Sequence, residues 1–223
     1  PDVTLNNLLL NRTSGVRFIG NVTIYGAMIM ANGNVTLAPS KSLSYIPGSR
    51  LKYNGSANQV THAEEFPVSS GPPSLEIDKP AGTSLNPNFS RTLTENLFLV
   101  NGNLSIGSNT LTLNALITTT NGTLTGGNTS NLTFNGNGAS TILPEVTLQS
   151  LTINRPNGIE MGGHITVEGM LTLSLGSLYL NDFTLDINGS IARSFGGLTG
   201  TELSTLNFGP ADFSTIIPPV MVG

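Results

Sequence analysis

The chain has 223 residues, of which nine are Lys or Arg and thirteen are Asp or Glu, for a net charge of −4. So few, scattered cations exclude a nucleic-acid partner, because phosphate neutralisation needs clustered Lys and Arg. Cysteine is absent, which excludes disulfides, thiolate metal sites and a cysteine nucleophile; no apolar run of about 18 residues is present to insert into a membrane.

The first elements set the pattern. Leu8-Leu9-Leu10-Asn11-Arg12 leads through Gly15 to Val22-Thr23-Ile24, Gly26, Met28 and Met30, and then to an Asn32-Gly33 turn. Ser49-Arg50-Leu51-Lys52-Tyr53-Asn54-Gly55 closes this first stretch. The segment from Val60 to Pro87 departs from the rhythm. It holds Pro67, Pro72, Pro73, Pro80 and Pro87 with the pair Glu64-Glu65, and it reads as a long loop or linker. A second copy begins inside it at Leu75-Glu76-Ile77-Asp78-Lys79, with Pro80 and Gly82 following. Leu97 and Leu99, Leu104-Ser105-Ile106, Leu111-Thr112-Leu113 and Leu132-Thr133-Phe134 continue it, each apolar residue alternating with Thr, Ser or Asn as in a half-buried strand.

The third copy repeats the first without a gap. Leu151-Thr152-Ile153-Asn154-Arg155, Gly158, Ile165-Thr166-Val167, Gly169, Leu171 and Leu173 match the opening elements in order. Ser204-Thr205-Leu206-Asn207-Phe208-Gly209 resembles Ser130-Asn131-Leu132-Thr133-Phe134-Asn135-Gly136 and the stretch from Ser49. Prolines close each copy at 67, 144 and 218, and Pro1-Asp2-Val3 resembles Pro144-Glu145-Val146 and Pro219-Val220. The chain is therefore read as three repeats of about 70 residues, at 1–67, 68–143 (with the irregular entry 60–87) and 144–223, starting and stopping at one phase.

Units of this size are small for a sandwich and carry no buried Trp or disulfide to pin two sheets, so they bury their apolar side by stacking. The fold class expected is all-β, a parallel β-solenoid (β-helix) with coils of roughly 20–25 residues and no helix. Three tandem sandwiches are the competing architecture.

Blocks such as Leu151 to Gly158 followed by Ile165 to Leu173 resemble the Leu/Thr/Asn/Gly-rich repeats of large secreted surface proteins of gliding-type bacteria. The resemblance implies an adhesin or filament component on the cell surface, exported by the type IX pathway.

Chemistry-bearing residues are sparse. His62 beside Glu64 and Glu65 is a metal or acid–base candidate whose bland reading is a solvated loop. His164 matches Asn21 in the first copy, which reads as structural. Asp182 and Asp186 share a strand face but show no neighbouring Arg, Lys or His in sequence, so a polysaccharide-cleaving β-helix enzyme is not favoured. Arg12, Lys79 and Arg155 occupy one repeat position; they are read as a ligand-face stripe or as turn-closing cations. No cofactor or metal is expected, since serial aspartates for calcium are missing. Asn-x-Ser/Thr sequons occur at Asn11, Asn21, Asn34, Asn88, Asn103, Asn121 and Asn188. The expected function is non-enzymatic, structural and adhesive, with self-association end to end and surface glycans as partners. A carbohydrate- or ice-binding module using pairs such as Thr118/Thr120 and Thr123/Thr125 is the alternative.

Overall fold

A computed structural model describes residues 2–80, 84–209 and 220–222. They form an all-β parallel β-solenoid of about 10 turns, with no helix among them. Gly82, Asp212 and the prolines at 218 and 219 lie outside the described residues. The chain divides into two compact units: Pro1–Ser105 with Thr118–Thr123, and Ile106–Ile117 with Leu124–Gly223.

In the first unit the main sheet runs Val3–Asn11, Val22–Asn32, Arg50–Tyr53, Ser74–Asp78 and Leu97–Asn101, with Leu43–Tyr45 also paired to Val22–Asn32. Every pairing is parallel, as a coil that advances in one direction requires. Because side chains alternate across a strand, the inward residues fall into ladders. Leu8, Met28, Leu51, Leu75 and Leu97 stack in register, as do Leu10, Met30, Tyr53, Ile77 and Leu99. From Met28 and Met30 onward the members of both ladders are almost fully buried. Each such side chain contributes about 1.5–3 kcal/mol relative to exposure.

The second unit is built alike. Its main sheet runs Thr110–Leu113, Asn131–Phe134, Val146–Asn154, Ile165–Leu175, Thr184–Ile187 and Thr205–Phe208, with Ser190–Arg193 also paired to Ile165–Leu175. A second sheet runs Ile142–Leu143, Ile159–Met161, Ser177–Tyr179, Gly197–Gly200 and Val220–Val222. Leu132, Leu151 and Leu171 form one inward ladder, and Phe134, Ile153 and Leu173 another. The likeness of Pro219-Val220 to Pro144-Glu145-Val146 is not a likeness of place. Val146 heads a strand of the main sheet, whereas Val220 pairs with Leu198 in the second.

The recurrence between first and third copies extends to strand irregularities. Val3–Asn11 on Val22–Asn32 has register shifts at Leu5/Asn7 and Leu10/Asn11; Val146–Asn154 on Ile165–Leu175 has them at Leu148/Ser150 and Ile153/Asn154. Gly26 and Gly169 sit at the first shift, where an added Cβ would press on the backbone oxygens of Asn6 and Gln149. The turns that follow also coincide. Gly15 N donates to Arg12 O at 2.8 Å and Gly158 N to Arg155 O at 2.9 Å. Gly33 and Gly176, at φ of 76° and 75°, close onto those same carbonyls.

The Pro-rich stretch, expected to be a long loop or a linker, is irregular for only part of its length. It is irregular from 61 to 73, but it lies inside the first unit and buries Thr61, Glu65 and Phe66. Ser74–Asp78 and Ser84–Asn86 then continue the coil. Its prolines fall outside these two strands, at corners where no ladder donor is needed.

Candidate functional site: cations at the coil corners

Arg12, Lys79 and Arg155 each follow the last residue of a main-sheet strand, Asn11, Asp78 and Asn154. The corner places them alike, but their surroundings differ. Lys79 is fully buried, and its Nζ donates to the carbonyls of Gly55 and Ala57 at 2.9 and 2.8 Å and to Gln59 Oε1 at 2.6 Å. All three acceptors belong to the preceding coil. Burial pulls this ammonium's pKa down to about 8.

Arg155 is also fully buried. Its Nη2 donates to Ala115 O at 2.7 Å and its Nη1 to Ala139 O at 3.2 Å. The guanidinium lies 5.8 Å from the centre of the Phe134 ring, which sits in the preceding coil. Its Nε has no acceptor, and burial lowers its pKa. Both cations thus find acceptors in backbone carbonyls of the corner, buried at Gly55 and part-buried at Ala57, Ala115 and Ala139, which offsets part of the cost of burying their charge. Arg12 is exposed. Its Nε donates to Ser14 Oγ at 3.1 Å, beside a shallow cleft of about 430 Å³ shared with Arg17 and Asn34. The three cations do not form one stripe facing solvent.

A second polar cluster sits inside the first unit. Glu65, 1% exposed, accepts from the Tyr53 hydroxyl at 2.5 Å and from the His62 amide at 3.2 Å through Oε1. The Tyr45 hydroxyl donates to Glu65 O at 2.7 Å. Burial raises the Glu65 carboxyl, against the Tyr53 and His62 hydrogen bonds that lower it. Burial, then the Glu65 charge, pushes both tyrosines well above the usual phenol range. Arg91 lies nearby against Phe66, donating to its carbonyl at 2.6 Å. This arrangement stitches the irregular loop to the coil. The sequence placed Glu65 in solvent; no period marks an inward residue in an aperiodic loop, so nothing there signalled its burial.

Lys52 Nζ bridges the buried Glu76 at 2.8 Å and the half-buried Asp78 at 2.6 Å, and the Lys52 contact together with Asn101 holds the Asp78 carboxyl below its ordinary range. Asparagines stack between coils, with Asn11 and Asn32 at 2.5 Å and Asn135 and Asn154 at 2.8 Å. Asp186 does have a histidine beside it: His164 Nε2 lies 2.6 Å from Asp186 Oδ2, and Asn207 donates to Oδ1. The two residues are one coil apart, a spacing available in the sequence once a period of about 20 is applied. Asp182 accepts instead from Thr201. No third group of a triad joins the His164–Asp186 pair among these contacts, and no group of three His, Asp or Glu suited to a metal occurs among the described residues. Thr118, Thr120 and Thr123 are exposed. No protein-family model, no curated protein and no solved structure matches the chain.

Proposed function

We propose that this chain is a non-enzymatic structural module of a bacterial cell-surface protein, acting as an adhesin segment or filament protomer that associates end to end with its own kind. The observation that carries the reading is where the polar chemistry goes. Lys79, Arg155, Glu65, Arg91, Lys52 and the His164–Asp186 pair all bind groups within the fold. An enzyme needs such groups converging on open space with capacity to spare. The outward positions of the strands are mainly neutral Thr, Ser and Asn, with exposed charges such as Arg12, Arg17, Arg50 and Glu145 between them, and a stack of parallel coils is the kind of fold that another strand extends.

The resemblance to secreted surface repeats supports an extracellular location. Light scattering over a concentration series, with electron microscopy of the same samples, tests the proposal. Concentration-dependent oligomers growing in one dimension are expected. A chain that stays monomeric at high concentration would remove the assembly reading, and turnover of a polysaccharide would remove the non-enzymatic one.

A further inference from the structure

Two coils in the middle of the first unit part on one face. Val22–Asn32, Arg50–Tyr53 and Ser74–Asp78 run side by side in the main sheet. Beyond the corner that follows, the ladder is interrupted. Val35–Leu37 pairs back to Val16–Phe18 and Gln59–Val60 pairs forward to Ser84–Asn86, but the two do not pair with each other. The corners differ in length, which sets these strands out of step. Two residues, Gly33 and Asn34, separate Asn32 from Val35, whereas five, from Asn54 to Asn58, separate Tyr53 from Gln59. The wide corner is held in shape from behind by the Lys79 ammonium, on Gly55 O, Ala57 O and Gln59 Oε1. It is tied to the preceding coil where Asn54 N and Gln59 Nε2 both donate to Met30 O.

Between the two corners opens a cleft of about 360 Å³, with Asn32 and Asn34 on one wall and Asn58, Gln59, Val60 and His62 on the other. Both walls belong to coils that have a described neighbour on their far side. Gln59 has both ends of its amide engaged, but the other polar side chains keep hydrogen-bonding capacity. The Asn34 side chain makes no hydrogen bond among the described residues. Asn58 accepts from Ser84 N at 2.9 Å through Oδ1 and leaves its Nδ2 open. Asn32 donates to Asn11 through Nδ2 and leaves its Oδ1 open. The backbone of His62 bonds to Glu65 and Phe66, while its imidazole makes no hydrogen bond among the described residues. No Lys, Arg, Asp or Glu lines the cleft.

We infer that this cleft takes one uncharged sugar residue of a glycan. Neighbouring ring hydroxyls each donate and accept, and a planar carboxamide, with a carbonyl and an NH2 side by side, meets two of them at once. Asn32, Asn34 and Asn58 supply carboxamides and His62 a further donor or acceptor. An acidic sugar or a phosphate would find no cation in the lining to pair with. A wholly apolar ligand would strand the amides. Val60, 47% exposed, offers an apolar patch to the C–H face of the ring. The volume is at the small end of the roughly 300–1,000 Å³ usual for ligand sites. Cleaving a glycosidic bond takes a pair of carboxyl groups, and the lining has none, so the cleft holds a sugar without cutting it. The inference rests on the adhesive reading above and adds to it a site and a ligand class.

The test is an NMR titration of the whole isotope-labelled chain with neutral disaccharides of glucose, galactose, mannose and N-acetylglucosamine, and with digalacturonate as their charged counterpart. Shifts of the Asn34 and Asn58 side-chain amides and of the His62 ring are expected with at least one neutral sugar, at a dissociation constant on the order of 1 mM. Asn34→Ala should weaken that sugar roughly tenfold, the effect of one hydrogen-bonded contact. Its thermal midpoint should not move, because the side chain has no described partner to lose. Asn58→Asp keeps the oxygen that Ser84 uses, removes the amide donor, and should weaken the sugar to a similar degree. No binding of any neutral sugar at ten times that concentration overturns the inference, and so does digalacturonate binding as well as the best neutral sugar. Shifts confined to other residues, such as the exposed Thr118 and Thr120, overturn the cleft and leave the adhesive reading standing. A sugar that fills the cleft in solution, but does not retain the chain when fixed to beads, supports the cleft and overturns the adhesive reading.

Discussion

Replacing Arg155 with alanine isolates what a buried corner cation does. The substitution leaves the part-buried carbonyls of Ala115 and Ala139 without their donor; an unsatisfied carbonyl costs about 1–3 kcal/mol when fully buried, and less where water can reach it, as at the exposed Ala139. It also opens space above the Phe134 ring and beside Gly138, adding a cavity cost. Against this, the substitution removes the desolvation of a charge whose Nε has no acceptor. The net destabilisation expected is about 2–3 kcal/mol, from the lost hydrogen bonds and the cavity together. Arg155→Met keeps the stem's volume and should cost roughly half as much. Urea unfolding followed by circular dichroism measures the difference, with hydrogen exchange at 110–160 to locate it, since stacked coils need not unfold as one two-state body. Arg12→Ala in the monomer should stay within about 0.5 kcal/mol. If the two alanine variants behaved alike, the corner cations would not be holding carbonyls, and the account of Arg155 would fail.

Other outcomes follow from the same geometry. Gly176→Ala should destabilise by more than about 1–2 kcal/mol, because its backbone is left-handed and an added Cβ meets Arg155 O; Gly33→Ala should do the same in the first unit, and a neutral thermal midpoint for either would contradict this. Lys79 should titrate near its lowered value of about 8 by side-chain nitrogen NMR. With the folded value below the unfolded one, the unfolded chain holds more protons between about 8 and 10.5, so stability should rise with pH across that window relative to Lys79→Met. Glu65 runs the other way: its folded carboxyl is raised, so stability should fall as pH climbs above 4.5 toward that raised value. Glu65→Gln should flatten the fall, and urea midpoints that track the parent chain at every pH would refute it.

The coil itself was legible because its signal is periodic. Alternation in stretches such as Leu132-Thr133-Phe134 and Leu171-Thr172-Leu173 states which side chains point inward, and the match of Leu8–Met30 to Leu151–Leu173 carries over to the same strands and bulges. Burial at the corners was not legible. Arg12 and Arg155 look identical in sequence, yet Arg155 is buried against Phe134 of the preceding coil while Arg12 is exposed, a difference of neighbours that no local pattern states. Glu65 was hidden for a different reason. Its partner Tyr53 lies twelve residues away across an aperiodic loop, so the pair appears in no regular pattern. The His164–Asp186 contact lies between these cases, regular in spacing but visible only after the coil period is known.

Most bonds between coils join residues about one turn apart in sequence, 19 apart for Asn135 and Asn154 and 24 for Lys52 and Glu76. Among the described residues, no strand has to wait for a distant part of the polypeptide to find its mate. As each turn emerges, the one made just before it is already a template, so order can spread along the growing chain like a zip closing tooth by tooth. A polypeptide delivered lengthwise through a narrow opening would consolidate on the far side as it arrived, and each finished turn would oppose its sliding back.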